Sequence, residues 1–416
     1  MHTKLERIKK DIETLGTFNA TPGKGLTRFS FTKEDKAARA YIKNEMQQIG
    51  LKVYEDAAGT IIGRLEGTLQ DGPVVMVGSH YDSVKNGGNF DGPAGVVAAL
   101  EAARTIKEKN IQPKYPIEFI GMIEEEGGRF GGGLFASRAM AGKVTREQLD
   151  FYKDQEGISI GEAMKDFGLD PDRIQEATRK TEDIKAFLEL HIEQGPVLET
   201  NKKEIGIVEY IVGIREFEVI VKGRPDHAGT TPMTMRADAL DGAAAVIGKI
   251  SDFGKAAGEG TVATVGILQV APGAANIVPG EVKFTVDIRS KKSSCIDEVT
   301  QKIEELLKDI AEKKGVKYEI IPKLDVAPVK LAETIVNQFS TNCEQLSFSK
   351  EFMLSGAGHD AMVMASIADV GLIFVPSKDG RSHCPEEWTD YEDLQKGIEL
   401  VYKTILDIAE VSSDEH

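Results

Sequence analysis

Residues 73–100 read PVVMVGSHYDSVKNGGNFDGPAGVVAAL. An apolar run closes on His80 and Asp82 (H-x-D), a glycine-rich turn carries Asp91, and a small-residue helical stretch starts at Pro93. Strand, polar turn, helix is the repeating step of an α/β sheet. The step recurs along the chain. PIEFIGMI at 116–123 runs into Glu124, Glu125 and Glu126, and IKAFLEL at 184–190 into His191, with Glu193 and Gln194 behind it. GLIFVP at 371–376 precedes His383 in GRSHCPEEW. A further strand is expected at 60–65 (TIIGRL), after a helix carrying Ala38, Tyr41, Ile42, Met46 and Ile49 and stopped by Gly50. Continuous apolar strands alternating with helices predict a mostly parallel sheet covered on both faces.

From about Gly206 to Leu324 the pattern changes. Phe217, Val219 and Val221 alternate with charged neighbours, as do Val282, Phe284, Val286 and Ile288, so these strands bury one face. Helical stretches are expected at roughly 235–256 and 296–314, the second with Ile303, Leu306, Leu307 and Ile310 on one stripe. Strand, helix, strand, strand, helix, strand is a ferredoxin-like α+β unit. After Val326-Ala327-Pro328 the α/β character resumes, with helices near 331–345 and from about 390. The expected organisation is an α/β domain in two parts, 1–207 and 326–416, interrupted by an α+β insert at 208–325.

Composition narrows the function. The 416 residues hold 51 Lys+Arg against 67 Asp+Glu, a net charge of −16, which argues against nucleic acid. A hydrophobic share of 41% excludes disorder, and no apolar run approaches the ~20 residues of a membrane helix. The amphipathic N-terminus has no apolar signal segment. Three scattered cysteines without C-x-x-C fit a reduced, cytoplasmic protein.

Of seven histidines, His2 and His416 are terminal and set aside. His80, His191 and His383 follow predicted strands, where open α/β sheets bind ligands, and carboxylates accompany each. Imidazole with carboxylate suits Zn²⁺ or Mn²⁺ better than Ca²⁺ or Mg²⁺. The count suits two ions: Asp91 bridging, His80 and His191 on one, Glu126 and His383 on the other. Asp82 is placed to orient the His80 ring. Two ions ~3.5–4 Å apart acidify a shared water and polarise a carbonyl oxygen, and Glu125 is the natural general base. Taken singly, each piece has a plainer account: a capping H-x-D, a solvated run of glutamates, turn chemistry at Asp91, a core His191. Their coincidence at strand ends favours the metal site. No G-x-S-x-G elbow or P-loop is present, and the glycines of 127–133 (GGRFGGG) lack dinucleotide-loop spacing.

The order H-x-D, N-G-G-N-F-D-G, E-E-E-G, L-H-I-E-Q-G and a late S-H-C-P resembles the M20 metallopeptidase superfamily. More narrowly it is similar to the amidase/hydantoinase/carbamoylase branch: N-carbamoyl-L-amino acid hydrolases, β-ureidopropionases and allantoate amidohydrolases. The likeness runs from LTRFSFTKED (26–35) to WTDYEDL (388–394), with 190–199 (LHIEQGPVLE) and 226–233 (DHAGTTPM) its most specific segments. It implies an α/β metallohydrolase domain with an inserted ferredoxin-like lid and dimerisation domain. By resemblance His80, Asp91, Glu126, His191 and His383 hold two divalent ions (Zn²⁺ or Mn²⁺, Co²⁺ accepted), and Glu125 is the base. His227 would stabilise the oxyanion, reaching a partner subunit's site in a homodimer. Asn276 and Arg289 would hold the substrate carboxylate, and Gln194, Gly358 and His359 would line the ureido pocket. The residues alone also allow plainer accounts, Arg289 pairing with Asp287 or a surface acid and His227 sitting in a capping loop. The chain departs from the family at Gly128, usually Ser or Ala, and at Cys384, often Ser or Asn. The implied activity is hydrolysis of a ureido acid to ammonia and CO₂, allantoate first and an N-carbamoyl-L-amino acid close behind. A dipeptidase or aminopeptidase on the same scaffold, or an idle metal-binding protein, are the alternatives. Hinges are expected near Ile207–Gly213 and Leu324–Val329.

Overall fold

A computed structural model describes residues 1–69 and 71–411; His416 lies outside them. The chain divides into two compact units. One comprises Met1–Glu209, Leu331–Met353 and the chain from His359 on; the other comprises Tyr210–Lys330 and Leu354–Gly358. The short segment before His359 joins the second unit.

The first unit is built on a mixed sheet. Ile117–Met122, Val74–His80, Ile184–Ile192 and Val370–Val375 lie side by side in that order, all parallel. Every residue of Val74–His80, Ile117–Met122 and Val370–Val375 is buried, which is why these strands read as unbroken apolar runs. Antiparallel strands flank the parallel core: Ile61–Leu65 against Ile117–Met122, and Ile205–Ile211 against Val370–Val375. Helices Pro93–Glu108 and Tyr391–Ile408 pack on this sheet and on each other, and Leu5–Thr17 packs on both. No helix among the described residues is long and apolar enough to cross a membrane.

The second unit has the expected order, with one strand split. Gly213–Lys222, the helix Ala239–Ala257, Val262–Thr264, Leu268–Ala271, Glu281–Ser290, the helix Ser293–Lys314 and Lys317–Val326 follow in sequence. Its sheet is antiparallel throughout, with Gly213–Lys222 between Lys317–Val326 and Glu281–Ser290. The two short strands pair in tandem with Glu281–Ser290. Phe217, Val219, Val221, Val282, Phe284, Val286 and Ile288 share one core with Val246, Ile250, Val299, Ile303 and Leu307 of the helices.

Candidate metal centre

The parallel strands deliver the site residues together. His80 ends Val74–His80, His191 lies near the end of Ile184–Ile192, and Glu124–Glu126 follow Ile117–Met122. His383, with φ 56°, stands in the loop after Val370–Val375. Asp91 precedes Gly92, whose φ of 80° opens the helix at Pro93. A Cβ on Gly92 would fall 2.3 Å from the His80 ring, so the turn seats the imidazole only with glycine there.

Asp91 divides its carboxylate between two groups. Oδ1 lies 3.1 Å from His191 Nε2 and 3.6 Å from His80 Nε2. Oδ2 lies 3.3 Å from His383 Nε2, which is also 3.3 Å from Glu126 Oε1. Two clusters with metal-ligand geometry therefore share Asp91: His80, Asp91 and His191, and Asp91, Glu126 and His383. The rings are set up as ligands. His80 Nδ1 faces the Asp82 carbonyl oxygen at 3.2 Å and His191 Nδ1 the Ile192 carbonyl oxygen at 2.9 Å. A hydrogen on each Nδ1 leaves the Nε2 lone pairs directed at Asp91, the tautomer a metal requires. His80 Nε2 and Glu126 Oε1 are buried without a hydrogen-bond partner among the described residues. Such orphaned atoms in a convergent donor set fit a cation.

The charge balance agrees. Burial opposes charge on His80, but Glu125, Asp82 and Glu126 outweigh it and hold the ring well above its ordinary pKa. The facing oxygens of Asp91 and then Glu126, each 3.3 Å from His383 Nε2, push His383 up to about 11. Burial opposes ionisation of Asp91 too, yet His191, His383 and His80 drive its carboxyl well below the usual range. Asp82, Asp91 and Glu126 thus bring three carboxylates to the three rings, and divalent ions match that charge. Glu125 behaves differently. Burial raises its pKa well above normal, and Glu126 and Asp360 add to this against His80, so the group readily holds a proton. Its Oε2 lies 3.7 Å from His80 Nε2. Burial, then His191 and His80, keep His359 neutral; its ring packs on that of His191, centroids 4.5 Å apart.

The glycine-rich 127–133 has its own role. Glu124 takes φ 54°, and the loop folds back so that the N–H of Leu134 donates to the Glu125 carbonyl at 2.8 Å and that of Phe135 to Glu124 at 3.0 Å. It shapes the ground under Glu125 instead of cradling a phosphate. Gly128, the departure noted above, is explained by Phe29, whose ring would lie 2.9 Å from a Cβ there.

In the second unit, Ala228 donates its N–H to the Asn276 carbonyl at 2.9 Å and His227 pairs with Ile277, so His227 and Asn276 stand on neighbouring segments. The N–H groups of Gly229 and Thr230 donate to His227 Nδ1 at 3.0 and 3.2 Å, which leaves the ring hydrogen on Nε2. Arg289 does pair with Asp287, through Nε at 2.9 Å and Nη2 at 3.0 Å, and Nη1 donates to the Gly356 carbonyl at 2.6 Å, next door to Gly358. One N–H on each terminal nitrogen stays unspent among the described residues.

Residues 76–407 match the description of peptidase family M20/M25/M40. The chain belongs to that family. As a member it is a hydrolase of carbon–nitrogen bonds, and relatives spanning it nearly end to end are amidohydrolases by name. An N-carbamoyl-L-amino-acid amidohydrolase of Paenarthrobacter aurescens is 48% identical over 97% of both chains. An allantoate amidohydrolase of Bacillus subtilis is 36% identical over 94% of this chain and 96% of its own. A crystal structure of an amidase of the hydantoinase/carbamoylase family from Burkholderia multivorans superposes with a TM-score of 0.92 at 33% identity, covering 98% of each. The mostly parallel sheet with a second, antiparallel one is this family's architecture.

Proposed function

We propose that this chain is a two-metal amidohydrolase that cleaves the linear C–N bond of a ureido acid, releasing ammonia and CO₂. The observation that carries it is the divided Asp91 carboxylate, one oxygen toward His80 and His191 and the other toward His383. Divalent ions held there, Zn²⁺, Mn²⁺ or Co²⁺, supply Lewis acidity and an activated water. Glu125 takes a proton from the attacking water and returns it to the departing nitrogen. His227 donates from Nε2 to the developing oxyanion. The two unspent N–H groups of Arg289, with Asn276, clamp the substrate carboxylate, a fit Lys does not offer. Gln194, Gly358 and His359 line the ureido end.

Relatives named for N-carbamoyl-L-amino acids and relatives named for allantoate both support a ureido acid, and an N-carbamoyl-L-amino acid stands beside allantoate as candidate substrate. The motifs N-G-G-N-F-D-G, E-E-E-G, H-A-G-T-T-P-M and S-G-A-G-H-D-A favour allantoate. A panel of N-carbamoyl-L-amino acids, allantoate, N-carbamoyl-β-alanine and Gly-containing dipeptides, run with each metal, tests both. Turnover of dipeptides alone would overturn the proposal.

We read the working form as a homodimer paired through the second unit. Val262, Ile267 and Leu268, each more than half exposed around its short edge strands, support this, and light scattering tests it. Three unpaired cysteines suit the reducing cytoplasm.

A further inference from the structure

Glu387 lies in the GRSHCPEEW segment but was given no role in the functional reading, yet it is 4% exposed and hydrogen-bonded to the Asp91 turn. Its Oε1 accepts the N–H of Phe90 at 2.9 Å and of Asp91 at 3.0 Å, across 296 residues of sequence. Its Oε2 lies 2.8 Å from the Ser382 hydroxyl, which donates to Asp91 Oδ2 at 2.6 Å. Gln194 Nε2 reaches the same Oδ2 at 2.6 Å and stands 3.5 Å from Ser382 Oγ. One buried carboxyl group therefore grips the Asp91 loop by its main chain and Ser382, the neighbour of His383, by its side chain.

Two observations on other residues show that the loops are shaped around this grip. A Cβ on Gly88 would fall 2.3 Å from Cβ, Cδ and Oε1 of Glu387, so the second glycine of N-G-G-N-F-D-G is what lets the carboxylate lie against the turn. Phe90, between the two gripped amides, packs edge-on against Trp388 with ring centroids 5.2 Å apart, and against Tyr391 at 5.7 Å. The loops of Asp91 and His383 are thus clamped together through Glu387 and Ser382.

We propose that Glu387, acting through Ser382, is a positioning residue for the second metal: it fixes the Asp91 oxygen that faces His383 at the distance a shared cation needs. Glu387 touches no reacting atom. It sets the spacing of two ligands supplied by segments far apart in sequence, and Oδ2 of Asp91 is the point it controls. The inference rests on the proposed metal-dependent function.

The test uses the full chain stripped with a chelator, with Zn²⁺ as probe and a chromophoric chelator as competitor. Glu387→Ala should weaken Zn²⁺ binding about 10- to 100-fold, as loss of a partner behind a ligand does, and Ser382→Ala about tenfold. Glu387→Gln keeps an oxygen for the two amides and an N–H for Ser382 Oγ, so it should bind Zn²⁺ within about threefold of the parent. A Gln variant as weak as the Ala variant would overturn the hydrogen-bonding account. Circular dichroism of the metal-free proteins checks folding; should Glu387→Ala not fold, unchanged affinity in Ser382→Ala overturns the proposal. A parent chain that binds Zn²⁺ without hydrolysing any ureido acid removes the proposed function and leaves this inference standing. A parent chain that binds no metal removes both.

Discussion

Asp82 holds Glu125 by its main chain: Oδ1 accepts the Glu125 N–H at 3.1 Å, while the same oxygen lies 3.5 Å from His80 Nδ1. Its Oδ2 accepts the N–H of Glu126 at 3.2 Å. A single buried carboxylate thus ties the His80 ring to the two consecutive glutamates proposed as base and ligand. Asp82→Asn retains the size but turns an N–H toward one of those amides, leaving a buried donor against a donor. Metal affinity should fall about 10- to 100-fold and kcat with it. Chelator competition and steady-state rates measure both; a variant matching the parent in the two would show that Asp82 is only a turn residue.

Glu125 lies with His80 and Glu126 in a third group of converging donors, but it is not one of the residues in the two clusters that share Asp91. Glu125→Gln should therefore keep both metals and lose kcat by about 10²- to 10⁴-fold, the range of a positioned proton carrier. Metal content by elemental analysis separates this from ligand loss. Retained turnover would remove the base assignment.

His80, Asp91, Glu126, His191 and His383 were legible because a strand end is readable as an apolar run that stops, and parallel strands bring such ends together. The orientation of Ile61–Leu65 was not. Its first three residues are buried on both faces, so no alternation distinguishes an antiparallel flank from the parallel core. The pairing of Ser382 and Glu387 with Asp91 was hidden for another reason: they are 291 and 296 residues from it, and hydrogen bonds at that separation leave no periodicity. The split strand at Val262–Thr264 and Leu268–Ala271 shares this obscurity, being short and mostly exposed.

The tautomer of His227 makes it a hydrogen-bond donor outward, since both donors from Gly229 and Thr230 converge on Nδ1. Arg236 fixes the same loop, donating to the carbonyls of Thr231 at 3.0 Å and Ala228 at 2.5 Å. On the proposed oxyanion role, His227→Ala should lower kcat about 10²- to 10³-fold, with metal content unchanged. Arg236→Ala should lower kcat less, because the loop keeps its Nδ1 contacts. An unchanged kcat in His227→Ala would confine the residue to capping its own turn.

Asp56 offers a pH-dependent stability far from the metal ligands in sequence. Its Oδ1 accepts the N–H groups of Ala58 and Thr60 at 2.9 Å, while Oδ2 is buried without a hydrogen-bond partner among the described residues. Burial pushes its carboxyl up from 3.8 to about 6 against the pull of those hydrogen bonds. The folded chain therefore binds this proton more tightly than the unfolded chain. The associated stability is full below about pH 4 and is lost as pH rises through about 6, a difference on the order of 3 kcal/mol. Asp56→Asn keeps an oxygen for both amides and carries no charge to bury. Relative to the parent its melting temperature should rise between pH 4.5 and pH 8, by on the order of 5 °C. A difference between variant and parent that stays constant over that interval would mean that Asp56 does not titrate there.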